Sequence, residues 1–263
     1  MKKMIVLMLI ISSHFTYAGS TAKQEAHFPS EAITTFSKSV EKYAASRGAK
    51  VFIVARLGRP KSELPKGVDF THVAIAIYST ISLENGKTAK GYAIHNLYQT
   101  AKKPDKSELI MDYPADFFWG AYDLSAGIII PNTQLQEKIL SIYNNGWDKQ
   151  LHNSEYSLLA NPYNARYQNC TEYTLDVINS AIYNTTNYAQ LKANTKAYFK
   201  ADKIKISSLK LMLGQLTMKD LRMNDQHRKI QTATFTGIAR YLEENDLLLE
   251  AIILKQHGEV ESL

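Results

Sequence analysis

The chain has 263 residues, of which 45% are hydrophobic, and it contains only 12 Gly, 7 Pro and one Cys. This composition excludes a disordered or collagen-like chain, and a single cysteine excludes a disulfide scaffold. The formal net charge of +6 is too small to indicate nucleic-acid binding by itself. We therefore expect a folded protein that buries its own core and has no nucleic-acid partner.

Residues 1–18 have the layout of a secretory signal peptide. Lys2 and Lys3 precede an apolar run over residues 4–11, and small residues lead to a cleavage site near Ala18. The apolar run is too short to span a bilayer as a permanent anchor. We expect a periplasmic or secreted mature chain, residues 19–263, that forms one domain with a C-terminal extension.

The first elements of the mature chain are predicted to be a helix, a strand and a loop. Residues 28–45 carry apolar side chains at helical spacing, and Ser30 is the expected N-cap. The short apolar run Val51–Arg56 predicts a strand. Glycines and prolines over residues 57–67 predict a loop.

A β-hairpin is predicted next. Residues 72–79 and 91–99 are rich in Val, Ile and Tyr, and the Asn85-Gly86 pair between them is a strong turn signal. A further strand is predicted over residues 126–130, after which Asn132 is the expected N-cap of a helix.

The helix that begins at Cys170 has a strong helical pattern, because apolar residues recur from Cys170 to Ile182 at i, i+3, i+4 and i+7. Additional helices and strands are predicted in the C-terminal part, over residues 188–199, 208–216, 230–235, 236–244 and 249–254. The expected fold class is α+β, with an antiparallel sheet that contains the hairpin and packs on the Cys170 helix.

Cys170 is a candidate nucleophile. Free backbone N–H groups at the start of a helix favour the thiolate, and they can also receive a developing oxyanion. The alternative is that Cys170 is simply a small buried apolar side chain. A catalytic cysteine also needs a base, which is usually a histidine oriented by a third polar group.

His72 and His95 are the candidate histidines for the site. The alternative is that either one is a structural residue at a strand end, hydrogen-bonded by the backbone. His72 shares its strand face with Ala74 and Ala76, and we expect these small residues to let the Cys170 helix approach closely. If Asn85-Gly86 is a two-residue turn, His72 faces Gln99. A six-residue loop instead places His72 opposite His95. The sequence does not choose between these two registers.

Several segments resemble known families. The strand THVAIAIY at residues 71–78, followed by the helix start YQNCTEY at residues 167–173, resembles the permuted NlpC-type papain-like cysteine hydrolases, which include the lecithin:retinol acyltransferase group. Together with RLGRPKSELP at residues 56–65 and NPY at residues 161–163, these segments also resemble an exported bacterial family of unknown function.

The resemblance to the hydrolases implies roles for individual residues. It makes Cys170 the nucleophile, His72 the base and His95 the residue that orients the base, with Asn96 or Gln99 as alternatives for this third position. It assigns oxyanion or supporting roles to Gln168 and Asn169. It also implies a permuted papain-like fold with extra C-terminal helices.

The expected function is an exported thiol hydrolase that forms a thioester on an amide bond in cell-wall peptides. Acyl transfer on a lipid and a non-catalytic envelope-binding module remain alternatives. A metal site of Cys170, His72 and His95 has no short-range ligand pair in its favour, so we expect neither a metal nor another cofactor.

A lysine cluster in the C-terminal part is either a solvated helical face or a contact for an anionic surface. Its members are Lys192, Lys196, Lys200, Lys203, Lys205 and Lys210.

Overall fold

The computed structural model describes residues 20–22, 24–82, 86–205, 218–227 and 229–263. The predicted signal peptide, Asn85 of the predicted turn and the helix or strand predicted over residues 208–216 lie outside the described residues.

The described helices and strands alternate irregularly along the chain, as in an α+β protein. The helices are α1 (Ser30–Ser46), α2 (Pro114–Trp119), α3 (Thr133–Asn144), α4 (Trp147–Gln150), α5 (Cys170–Tyr183), α6 (Tyr188–Tyr198) and α7 (Phe235–Glu244). The strands are β1 (Val51–Arg56), β2 (His72–Ser82), β3 (Thr88–Thr100), β4 (Lys103–Asp112), β5 (Ser125–Pro131), β6 (Asp202–Ile204), β7 (Ile230–Thr232), β8 (Leu248–Lys255) and β9 (Val260–Ser262).

Seven of these strands form one sheet in the order β4-β3-β2-β1-β5-β8-β9, and β6 pairs with β7 in a separate small sheet. All neighbouring strands of the large sheet are antiparallel. The α+β fold class is therefore confirmed.

Helices cover both faces of the large sheet, which explains why β1 and β5 are buried along their whole length. On one face, Phe36 of α1 and Phe117 of α2 share a core with Phe52 of β1. On the other face, Ile178 of α5 packs in a second core with Ile75 of β2.

The Cys170 helix packs on the sheet, but on the opposite face from the one expected. Val73, Ile75 and Ile77 share the α5 core, whereas Ala74 and Ala76 share the α1 core. The small alanines therefore make room for α1. Side-chain size could not identify the partner helix because both faces of the sheet are covered.

The pairing of β2 with β3 differs from both expected registers. Ile75 lies opposite His95, and the pairing continues to Ser82 opposite Thr88. The observed pairing is shifted by one residue from the pairing expected for a two-residue turn. A shift of one residue turns the side chains of one strand to the other face of the sheet relative to its neighbour. His72 and His95 consequently lie on opposite faces of the sheet.

The helix caps agree only in part with the expected ones. Asn132 caps α3 by accepting a hydrogen bond from the Leu135 backbone at 2.9 Å, as expected. Ser30, however, is the first residue of α1. The N-cap residue is Pro29, whose side chain makes no capping hydrogen bond.

Candidate active site around Cys170 and His72

Cys170 is the first residue of α5 and lines a pocket of about 240 Å³. The Asn169 side chain caps the helix by accepting from the Glu172 backbone N–H at 2.9 Å. Only 7% of Cys170 is exposed. Most of the surrounding pocket wall is apolar, and its lining includes Leu64, Val68, Phe70, Leu158 and Leu221, together with the polar Arg59 and Tyr156. Sequence reasoning included Arg59 and Leu64 only in a segment of family resemblance. It assigned none of these wall residues to the site, because they come from segments that are distant in the chain.

The electrostatic environment of Cys170 favours the neutral thiol. Burial raises the pKa of the thiol, and the Val73 backbone N–H and the Thr171 hydroxyl only oppose this rise. The Thr171 Oγ1 lies 3.9 Å from the sulfur. The expected thiolate is therefore not favoured in the free protein, because desolvation outweighs the helix N-terminus.

His72 is completely buried on the α1 side of the sheet. Its ring stacks on Tyr98, with 4.6 Å between the ring centroids, and it contacts Phe117 at 5.5 Å. Burial lowers its pKa to about 3, and the nearby Arg56 guanidinium adds to this effect. The imidazole is therefore neutral at physiological pH.

Asn96 orients the His72 ring. Its Oδ1 lies 3.0 Å from His72 Nε2, and its Nδ2 donates to the Ile94 carbonyl at 3.1 Å and to Asp112 Oδ1 at 2.7 Å. Because the Ile94 carbonyl and Asp112 Oδ1 both accept from Asn96 Nδ2, the Asn96 Oδ1 atom must face His72. His72 Nε2 therefore carries the ring proton. His72 Nδ1 is buried and has no hydrogen-bond partner among the described residues. A buried side-chain nitrogen without a hydrogen-bond partner is unusual in a folded protein.

Cys170 packs against the strand that begins at His72, but no hydrogen bond joins the Cys170 and His72 side chains. The thiol interacts with the backbone N–H of Val73, the residue that follows His72. The two side chains lie on opposite sides of the sheet, since Cys170 belongs to the α5 core and His72 contacts Phe117 of the α1 core.

His95 lies away from His72. Its ring contacts Tyr143 of α3, with 4.4 Å between centroids, and it lines a second pocket of about 450 Å³. Burial lowers the pKa of His95 to about 4. The register places Asn96, one of the expected alternatives, beside His72 where His95 was the first choice.

The remaining amide candidates have structural partners. Gln168 Nε2 donates to the Leu151 carbonyl and to Asp176 Oδ2, each at 2.9 Å. Asn169 Nδ2 donates to the Leu158 carbonyl at 3.0 Å. Gln99 Nε2 donates to the Pro104 carbonyl at 2.6 Å and to Asp220 at 3.0 Å. These side-chain amides brace the loops and the helix start around Cys170.

Lys192 does not belong to a solvated lysine face. It is buried and forms ion pairs with Glu172 at 2.7 Å and with Asp176 at 2.8 Å. Burial lowers the pKa of Lys192, but the two carboxylates together raise it above its usual value. The exposed members of the cluster are Lys196, Lys200, Lys203 and Lys205, and Lys210 lies outside the described residues.

The described part of the chain holds no cluster of three or more His, Cys, Asp or Glu side chains able to bind a metal ion. Within the same residues, no helix combines the length and apolar character needed to cross a membrane.

The fold and site define an α+β protein with a buried cysteine at the start of a helix, beside a pocket. Residues 43–242 match the family model described as an uncharacterized protein conserved in bacteria (DUF2145). The chain belongs to this family. No curated protein and no solved structure matches it.

Proposed function

We propose that the protein is an exported thiol hydrolase in which Cys170 attacks an amide bond of cell-wall peptides and forms a thioester. The observation that carries this proposal is a buried cysteine that begins a helix and lines a pocket, with its sulfur against the backbone N–H of Val73. The residue before Val73 is the buried His72, whose imidazole is neutral. Asn96 holds one nitrogen of this histidine, and the other has no partner among the described residues.

The chemistry starts from two neutral groups. His72 Nδ1 takes the thiol proton as Cys170 Sγ attacks the carbonyl carbon, and it then delivers that proton to the leaving amine. Water subsequently hydrolyses the thioester. In this proposal the backbone N–H of Val73, which interacts with the sulfur in the free protein, stabilises the oxyanion.

Because His72 and Cys170 lie on opposite faces of the sheet, this sequence of steps requires the start of β2 to rearrange when substrate enters, so that His72 Nδ1 comes within hydrogen-bond reach of the sulfur. The resemblance to permuted NlpC-type hydrolases supports the same assignment of Cys170 and His72, and the predicted signal peptide supports an envelope substrate.

The pocket wall favours a second candidate, acyl transfer from a lipid. Leu64, Val68 and Phe70 come from the loop before β2, and Leu158 and Leu221 close the pocket from later segments. An apolar wall next to the thiol suits the hydrocarbon part of an acyl donor, because burying each CH₂ group contributes about 0.8 kcal/mol.

The test is to incubate the purified protein separately with peptidoglycan and with phospholipid vesicles and to identify products by mass spectrometry. Cys170→Ala and Cys170→Ser serve as matched variants. A peptide product that only the wild-type protein forms supports the amide hydrolase, and a lysophospholipid or acylated product supports the lipid alternative.

Binding to peptidoglycan that Cys170→Ala retains, with no product from any protein, would overturn both enzyme proposals. That result would favour a binding module on this fold.

A further inference from the structure

We propose that Asp112 is a positioning residue that acts through Asn96 to hold His72 in the protonation state needed by a base. This inference rests on the proposed function, in which His72 accepts the thiol proton. Asp112 is the last residue of β4 and lies opposite Ile94 of β3 in the register.

The carboxylate of Asp112 is bound by two side chains of β3. Its Oδ1 accepts from Asn96 Nδ2 at 2.7 Å, and its Oδ2 accepts from the Tyr98 hydroxyl at 3.0 Å. Tyr98 also stacks on the His72 ring. Asp112 is thereby connected to His72 by a hydrogen-bonded path through Asn96 and by the ring that supports the imidazole.

The direction of each hydrogen bond follows from the chemistry of the groups. An ionised carboxylate can only accept, so Asn96 must present its NH₂ group to Asp112 and its Oδ1 to His72. Nε2 of His72 then carries the proton, which leaves the Nδ1 lone pair free to act as the base. Replacing the carboxylate by an amide leaves the Ile94 carbonyl as the remaining obligatory acceptor that fixes the orientation of Asn96.

Asp112 also supplies negative charge where a positive charge develops. When His72 takes a proton, an imidazolium forms in a completely buried position beside the buried Arg56. Two buried cations are strongly unfavourable without a nearby anion. Asp112 is the carboxylate that the Asn96 bridge couples to this site.

The surroundings of Asp112 make its charge sensitive to pH near neutrality. Burial raises its pKa to about 7, while the hydrogen bonds from Tyr98 and Asn96 and the Arg56 charge oppose the rise, and Asp116 of α2 adds to it. The Asp112 carboxylate is therefore ionised above about pH 7, where it accepts hydrogen bonds from Asn96 and Tyr98. Protonation of the carboxyl group below that pH weakens these hydrogen bonds.

The first experiment measures the His72 tautomer directly by ¹⁵N NMR of the histidine side chains at pH 8, in the wild-type protein, Asp112→Asn and Asp112→Glu. Wild type should show the Nε2–H tautomer, Asp112→Asn a mixture of tautomers, and Asp112→Glu a partial return. Asp116→Asn is the matched control, because this carboxylate bonds to the Tyr113 backbone rather than to Asn96, and it should leave the tautomer unchanged. Identical His72 signals in wild type and Asp112→Asn would overturn the proposal.

The second experiment follows the rate of peptide release from peptidoglycan against pH. Asp112→Asn should lower this rate by less than the roughly 10⁴-fold loss seen when a carboxylate bonded directly to a catalytic histidine becomes an amide, because Asn96 lies between Asp112 and His72. It should also remove the acid limb near pH 7. Tyr98→Phe keeps the ring stack but removes one hydrogen bond to Asp112, so it should move that limb to higher pH. An unchanged pH profile in both variants would contradict the positioning role.

The two readouts separate this inference from the proposed function. If no protein shows Cys170-dependent turnover, the hydrolase fails and the NMR spectra still decide the role of Asp112. If wild-type turnover depends on Cys170 but the His72 signals are the same with and without the Asp112 carboxylate, Cys170 is supported as the nucleophile. The positioning role of Asp112 is then wrong.

Discussion

Ile75 of β2 lies directly opposite His95 of β3, and this single pairing separates the two candidate histidines. Because paired residues point to the same face, His95 joins the α5 side with Ile75, and His72 points to the α1 side with Asn96. Only one of the two histidines is thus held by a side chain suited to orient a base.

The first prediction is that activity depends on His72 and not on His95. His72→Gln keeps a polar side chain of similar volume but removes the basic nitrogen, so Cys170-dependent product formation should fall to background. His95→Gln, the matched control on the neighbouring strand, should retain wild-type kcat. Product formation is measured with the substrate found for Cys170, and equal loss in both variants would contradict the assignment of the base.

The second prediction concerns the thiol in the free protein. Since burial raises the pKa of Cys170, the thiolate fraction at pH 7 should be smaller than for an ordinary cysteine of pKa about 8.5. Iodoacetamide labelling of the folded protein should therefore be slow at pH 7 and rise only in the alkaline range, and the guanidinium-unfolded protein is the control for unhindered labelling. Rapid labelling at pH 6 would instead indicate a preformed thiolate–imidazolium pair.

The third prediction concerns the buried ion pairs of Lys192. Lys192→Ala leaves Glu172 and Asp176 buried without their cation, which should lower the free energy of unfolding by about 3–5 kcal/mol. Lys196→Ala, on the exposed side of the same helix, should change it by less than about 0.5 kcal/mol. Urea denaturation checks both values, and equal midpoints would mean that the cluster is not a buried charge network.

The fourth prediction is a pH dependence of stability that Asp112 introduces. Its folded pKa of about 7 lies above the unfolded value of about 3.9, so the folded state binds more protons between these values. The contribution of Asp112 to stability is therefore present below about pH 4 and is lost as the pH rises to about 7.

Unfolding free energies of the wild-type protein and Asp112→Asn, measured by urea denaturation from pH 4 to pH 8, provide the check. The difference between the two proteins should shift in favour of Asp112→Asn as the pH rises. A constant difference over this range would show that Asp112 has an ordinary pKa.

Local patterns were sufficient to predict several elements. The apolar periodicity predicted the start of α5 at Cys170, and Val51–Arg56 was predicted with its observed bounds. In contrast, β4 was missed because it is an edge strand with charged residues and no clear apolar alternation. That omission hid Asp112 from the candidate site.

The interactions that define the site depend on longer-range packing. The β2–β3 register is set by the whole pairing between Ile75 and Ser82 and by how both faces are covered, not by the Asn85-Gly86 dipeptide alone. Similarly, the lysine spacing within its own helix predicts that Lys192 lies on the surface. Its partners Glu172 and Asp176 belong to α5, and the packing of α5 against α6 brings them together.

The last prediction separates the two candidate substrates by filling the pocket. Leu158 is partly buried and lines the pocket that holds Cys170, so Leu158→Trp should occupy apolar space without touching the His72 network. If the pocket receives a lipid acyl chain, this variant should lose acyl transfer from phospholipid vesicles, while Leu158→Met, which conserves volume, should retain it.

If the substrate is a cell-wall peptide that only passes the pocket mouth, Leu158→Trp should keep most of its hydrolysis of peptidoglycan. Products are compared by mass spectrometry at matched protein concentration. The comparison holds only if the free energy of unfolding of both variants lies within about 1 kcal/mol of the wild-type value. Full activity of Leu158→Trp on both substrates would show that the pocket does not hold the reacting acyl group.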